Sequence, residues 1–83
     1  MPPHHIGEGA TVQNSMVTEG CEIYGTVKDS VLFAGVKVAA GAVVEDSVIM
    51  PGTCIEAGAV VRRTIVSEGC VISKNSQIGR AHV

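Results

Sequence analysis

Three groups of residues in this 83-residue chain could do chemistry. His4, His5 and His82 could act as general bases, or as a set of three could hold zinc with one coordination position open. Cys21, Cys54 or Cys70 could supply a nucleophilic thiol if a base stood beside it. Lys28-Asp29, Glu45-Asp46 and Arg62-Arg63 place charge at recurring intervals, and arginines suit the geometry of phosphate. The histidines lie at the two ends, with none between residues 6 and 81. The odd cysteine count without framework spacing points to reduced thiols and a cytoplasmic chain.

What must position these groups is an unusual core. Hydrophobic residues make up 46% of the chain, but aromatics only 2%, and there are ten glycines. An ordinary core relies on large side chains, each aromatic burying roughly 150–250 Å². At this length a core without them would be marginal. A net charge of −2 offers no basic face for nucleic acid, and two aromatics make no base-stacking platform. No apolar run approaches the roughly 18 residues of a membrane-spanning helix. The start, Met1-Pro2-Pro3-His4-His5, lacks the basic and apolar regions of a signal peptide.

A repeat explains the composition. Val31-Leu32-Phe33-Ala34-Gly35-Val36 recurs as Val48-Ile49-Met50-Pro51-Gly52-Thr53 and as Ile65-Val66-Ser67-Glu68-Gly69-Cys70, at steps of 17 residues. Met16-Val17-Thr18-Glu19-Gly20-Cys21 precedes Val31 by only 15, so two residues are missing around Tyr24-Gly25. Each unit divides into blocks of six, six and five, opening on a branched aliphatic with a small residue three or four places later. This is neither a helical period nor a long alternating strand. It describes a triangular coil of short strands, with aliphatics inward on the sides and small residues inward near the corners. Stacked coils pair in parallel at roughly 4.8 Å. Val38, Ile55 and Ile72 form one expected ladder, and Val44, Val61 and Ile78 another. So narrow a triangle has no room for aromatics. Gly20, Gly35, Gly52 and Gly69 share one repeat position; Gly9, Gly41 and Gly58 share a second, with Asn75 as its fourth member. These positions are expected at positive φ, which Gly and Asn tolerate. Their periodicity argues against a flexible linker.

The expected architecture is all-β: a single-stranded parallel β-helix of about four to five coils over residues 2–79. Residues 80–83 form an unmatched C-terminal end. Unpaired backbone at each end, without a cap, leads us to expect a fragment or ends covered by another chain.

The residues also carry a resemblance. Ile6-Gly7-Glu8-Gly9-Ala10 fits the hexapeptide repeat of left-handed β-helices. Pro2-Pro3-His4-His5-Ile6-Gly7, Asn14-Ser15, Glu19-Gly20-Cys21, Gly25-Thr26-Val27, Asp29-Ser30-Val31-Leu32-Phe33, Gly35-Val36 and Asp46-Ser47-Val48-Ile49-Met50-Pro51 are more specific. Together, over residues 2–79, they resemble the C-terminal domain of bacterial glucose-1-phosphate adenylyltransferase (ADP-glucose pyrophosphorylase) of glycogen biosynthesis. The resemblance implies left-handed coils, a hand that periodicity alone does not fix. It also implies a parent nucleotidyltransferase that makes ADP-glucose and pyrophosphate from ATP and glucose 1-phosphate. Mg and ATP would belong to that parent's catalytic domain, because this chain has no nucleotide loop or paired metal-binding acids. No cofactor, metal or catalytic residue is assigned here.

Hexapeptide acyltransferases place a catalytic His on a coil or loop, and carbonic anhydrases of this fold use three His; the coils carry neither. Cys21 and Cys70 share an inward corner column three coils apart, roughly 14 Å, too far for a disulfide. Cys54 is expected to face outward. Stacking brings Glu45 near Arg62 and Asp46 near Arg63. That corner reads either as a surface charge ladder worth about 0–1 kcal/mol per pair, or as an effector or interdomain contact made by Arg62 and Arg63. The function expected is non-catalytic: a structural, regulatory and homo-oligomerising domain that packs on a catalytic domain, without nucleic-acid or membrane partners. The alternatives are the same domain of a non-catalytic glycogen-biosynthesis paralogue, a hexapeptide acyltransferase fragment, or an assembly module of another sugar nucleotidyltransferase.

Overall fold

Two-residue strands can persist only if each is paired on its edges, and a 17-residue period returns the chain beside itself to do so. The computed structural model, which describes residues 5–80 and 83, contains fourteen strands of two or three residues and no helix among those residues. β1 (His5–Ile6), β2 (Thr11–Gln13) and β3 (Met16–Val17) form the first coil. β4 (Glu22–Ile23), β5 (Thr26–Lys28) and β6 (Val31–Leu32) form the second. β7 (Lys37–Val38), β8 (Val43–Glu45) and β9 (Val48–Ile49) form the third. β10 (Cys54–Ile55), β11 (Val60–Arg62) and β12 (Ile65–Val66) form the fourth; β13 (Val71–Ile72) and β14 (Gln77–Gly79) continue into the next.

Each strand pairs in parallel with its counterpart one coil away. The first sheet runs β1-β4-β7-β10-β13, the second β2-β5-β8-β11-β14 and the third β3-β6-β9-β12. Val83 extends the third sheet through hydrogen bonds with Ile65 and Ser67. The result is a β-solenoid of about four turns, as the repeat predicts. Residues 80 and 83 follow the same path: Arg80 takes the corner conformation of its counterparts, and its N–H donates to the Arg62 carbonyl.

The core is a set of columns. Ile23, Val38, Ile55 and Ile72 are the buried column of the first sheet. Val27, Val44 and Val61 serve the second, continued by Val12 and Ile78 at its ends. Leu32, Ile49 and Val66 serve the third. Both ladders expected from the repeat are present in register. The two aromatics lie outside this core, Tyr24 at 40% and Phe33 at 38% exposure.

Three corners close each coil. The corner after the third sheet carries Gly20, Gly35, Gly52 and Gly69 at φ of 77°, 72°, 74° and 68°. The corner after the first sheet carries Gly9, Gly41, Gly58 and Asn75 at φ of 84°, 80°, 74° and 61°. Both glycine columns thus adopt the left-handed conformation expected of them. In the second coil Tyr24-Gly25 alone links β4 to β5. This shortcut works because Gly25 is buried against the next coil; a Cβ there would run into the carbonyl oxygens of Ala39 and Ala42.

The third corner turns on one residue per coil. Asn14, Asp29, Asp46, Arg63 and Arg80 all have φ between 48° and 53°. So tight a turn leaves the next backbone N–H in need of a partner, and a hydroxyl supplies it. The Ser30, Ser47 and Thr64 N–H groups donate to Ser15, Ser30 and Ser47 Oγ of the coil before, each at 3.1 Å. Each hydroxyl in turn donates to the carbonyl two residues earlier: Ser15 to Gln13, Ser30 to Lys28, Ser47 to Glu45 and Thr64 to Arg62, at 2.7–2.8 Å.

Two outcomes follow for stability. Val61→Asp places an unpaired charge in the buried column and should abolish cooperative thermal unfolding; a retained sharp transition would show that Val61 does not face inward. Ser47→Ala orphans the buried Thr64 N–H and should cost about 1–3 kcal/mol in urea denaturation, whereas Ser15→Ala, in the first coil, should cost less.

Candidate functional site

The one-residue corner also gathers charge. β5, β8 and β11 end on Lys28, Glu45 and Arg62, which stand in register between Gln13 and Gly79. The residues that follow, Asp29, Asp46 and Arg63, are the corner itself. Each coil therefore presents a polar strand end, a left-handed residue and an inward hydroxyl. Hydroxyls tie the backbone of this corner from coil to coil, so its outward groups have a rigid mount.

Arg62 Nε donates to Glu45 Oε1 at 2.8 Å, as coil stacking predicts. The Arg62 side chain is still 61% exposed, so solvent screening keeps the pair weak. Asp46 and Arg63 share the corner column, but among the described residues they form no ion pair within 4.0 Å. At the first-coil end of the column Asn14 Nδ2 donates to Asp29 Oδ1 at 2.6 Å. Lys37 and Glu22 make a second ion pair, at 4.0 Å, on the first sheet.

His5 lies exposed in β1, its ring 5.8 Å from that of Tyr24 and tilted by 49°. His4 and His82 lie outside the described residues. The three cysteines are free thiols. Cys21 and Cys70 occupy the inward corner column that also contains Val36 and Thr53, and Cys21 Sγ donates to the Phe33 carbonyl at 3.1 Å. Cys54 is half-buried on the outer side of the first sheet, between Lys37 and Val71. Among the described residues no three His, Cys, Asp or Glu side chains gather closely enough to hold a metal ion.

Two features escape a reading by residue type. One is the hydroxyl ladder: Ser15, Ser30, Ser47 and Thr64 register in the sequence only as small residues near a corner. Asn14, Asp29 and Asp46 carried a usable signal, since Asn and Asp are enriched at positive φ; Arg63 and Arg80 carried none. The other is a groove of about 330 Å³ walled by Tyr24, Lys37, Ala39, Cys54, Glu56 and Lys74. It depends on where the shortened corner sets Tyr24, which no spacing rule specifies.

The coil geometry agrees with the comparisons to known proteins. A family model described as "GlmU-like, C-terminal hexapeptide" matches residues 3–83. This chain belongs to that family. Its curated relatives include glucose-1-phosphate adenylyltransferases from Thermosipho africanus, 50% identical over 44 residues, and from Acetivibrio thermocellus, 54% identical over 43. A third, from Geobacillus stearothermophilus, is also 54% identical over 43 residues. These matches cover 53%, 52% and 52% of this chain but only 11%, 10% and 11% of the relatives. The chain thus corresponds to a small part of the proteins it resembles in sequence.

As a member of this hexapeptide family, the chain uses its repeat for scaffold, and the Arg62–Glu45 pair sits on the outside of it. Arg62→Ala should therefore change unfolding free energy by less than about 1 kcal/mol. A larger loss in urea denaturation would show that the pair braces the stack.

Proposed function

We propose that this chain is the non-catalytic C-terminal domain of a cytoplasmic glucose-1-phosphate adenylyltransferase. It packs on a catalytic domain, assembles subunits and transmits effector signals. The observation that carries this reading is the shared name of the relatives together with the hexapeptide family match across residues 3–83. The repeat supports it: nearly every inward position is committed to the solenoid core. The parent joins ATP and glucose 1-phosphate into ADP-glucose and pyrophosphate, with Mg and ATP held in its catalytic domain. The domain itself self-associates through a flat face of the solenoid. None of the described helix-free structure contains a helix long and apolar enough to cross a membrane.

Arg62 and Arg63 are the residues we assign to a phosphate-effector or interdomain contact. Arg62 is exposed, and a guanidinium can bind phosphate through two parallel hydrogen bonds. Glu45 competes with any such phosphate for Arg62. In the full-length parent, replacing both arginines with alanine should blunt the effector response while sparing basal turnover, and Glu45→Gln should sharpen it. An unchanged response in the double variant would remove this assignment. The 83-residue chain alone should form no ADP-glucose from ATP and glucose 1-phosphate; measurable turnover would overturn the non-catalytic reading.

A further inference from the structure

The two ends of the solenoid are held differently. Ile6 and Ile72 are the first and last members of one column of the first sheet. Ile72 is 4% exposed, but Ile6 is 43% exposed. No residue from 5 to 20 is fully buried. In the coil beneath, Cys21, Ile23, Val27 and Leu32 are completely enclosed. The first coil therefore covers a core to which it contributes little.

The corner after the first sheet shows the difference most directly. In the third to fifth coils these corners stack. A Cβ on Gly41 would lie 3.7 Å from the Gly58 nitrogen, and the Asn75 side chain folds over Gly58. The Asn75 N–H donates to the Ala57 carbonyl at 3.1 Å. In the second coil Tyr24-Gly25 supplies no such corner. The turn from β1 to β2 thus stands with no corner beneath it, and a Cβ on Gly9 would meet nothing within 4 Å among the described residues. The last coil is braced here and the first is not.

Tyr24 takes the place of the missing corner. Its ring lies across Gly7, where an added Cβ would overlap it. The ring also tilts against that of His5, with centroids 5.8 Å apart. A second-coil side chain thereby clasps the first strand from outside. The chain leaves the first coil through Thr18, Glu19 and Gly20, and that passage is pinned to the second coil. The Thr18 hydroxyl donates to the Leu32 carbonyl at 2.9 Å. The Glu19 carbonyl accepts from the Gly35 N–H at 3.2 Å.

We propose that residues 5–17 form a hinged lid, latched by Tyr24 and pivoting at Thr18–Gly20, that opens as a unit while the other coils stay folded. A stacked repeat is held by its neighbour interfaces, so the terminal repeat with the weaker interface opens first. Opening breaks one layer of hydrogen bonds. Among them are those from the Thr11, Met16 and Asp29 N–H groups to the Gly25, Ser30 and Gln13 carbonyls, at 2.9–3.0 Å. It uncovers the Cys21 thiol and frees one edge each of β4, β5 and β6. Free edges of this kind accept an added strand, so the lid controls access to the rim of the second coil.

Native-state hydrogen exchange by NMR on the 83-residue chain tests this, with thiol labelling of Cys21 in a variant carrying Cys54→Ala and Cys70→Ala. The Thr11, Met16 and Asp29 amides should share one protection factor, at least about tenfold below that of Val43, whose N–H joins the third coil to the fourth. Cys21 should be protected to the same degree. Val60, whose N–H donates to Ser76 in the last coil, should be better protected than all of these. Tyr24→Ala should lower the shared value about tenfold, and Tyr24→Phe should hold it within about twofold. Val61→Ala, in a coil that stays folded as the lid opens, should lower the protection of Val43 and leave the shared value unchanged. If Val61→Ala shifts Thr11, Met16 and Asp29 as much as Val43, or if those three differ among themselves, the lid is overturned. Val60 exchanging as fast as Thr11 would overturn the inequality of the ends. Unchanged protection in Tyr24→Ala would overturn the latch.

Discussion

Every backbone group that a coil leaves on its rim must be taken by the next coil. Strands of two or three residues make no stable structure alone, and parallel pairing at a 17-residue step is what holds them. The constraint is hardest at the one-residue corner, where the turn is too tight for the backbone to satisfy itself. The side-chain hydroxyls of Ser15, Ser30 and Ser47 complete the pairing there. Each takes an N–H from the coil above and gives its proton to a carbonyl of its own coil. The buried side-chain polar atoms of this corner are thereby satisfied, and no buried side-chain nitrogen or oxygen is left unpaired among the described residues.

The same constraint explains the core and its composition. Residues one coil apart are held in register, so like stacks on like, and the column must be filled by side chains that fit a narrow triangle. Val, Ile and Leu fill the sides; Ala, Cys, Thr, Ser and the single Val36 fill the corners. Tyr24 and Phe33 are pushed outside. The two-residue deletion in the second coil is tolerated because it falls at a corner. Strand registers on either side continue unbroken, with Glu22 opposite Lys37 and Thr26 opposite Val43. A one-residue deletion inside a strand would instead have turned the inward column outward.

With the inside committed to packing, distinctions between members of such a family must lie on the outer faces and borders. Here the outward columns of the third sheet carry no charge, the first sheet carries Glu22 and Lys37 beside Cys54 and Val71, and the second ends on Lys28, Glu45 and Arg62. The Arg62–Glu45 pair shows how the stack also organises the exterior. Residues 17 apart in sequence become neighbours at 2.8 Å, so a charge pattern that looks scattered along the chain becomes a contiguous ladder.

The sequence by itself determined the number of sides, the length of each coil, the inward ladders and the two glycine corners. It did so because each is written as a period: a residue type recurring at 17 residues is a spatial column. It also exposed the Tyr24-Gly25 deletion, as a break in that period. Family resemblance was legible in the strings Asp29-Ser30-Val31-Leu32-Phe33 and Asp46-Ser47-Val48-Ile49-Met50-Pro51. Only the tertiary structure decided how the third corner is satisfied, because a hydroxyl's partner lies one coil away and depends on a backbone angle that Arg63 and Arg80 do not advertise. It likewise decided that Glu45 engages Arg62 while Asp46 and Arg63 stay apart. Column membership brings residues to within one strand spacing, but closing an ion pair also depends on the rotamers the two side chains adopt, which the period does not specify.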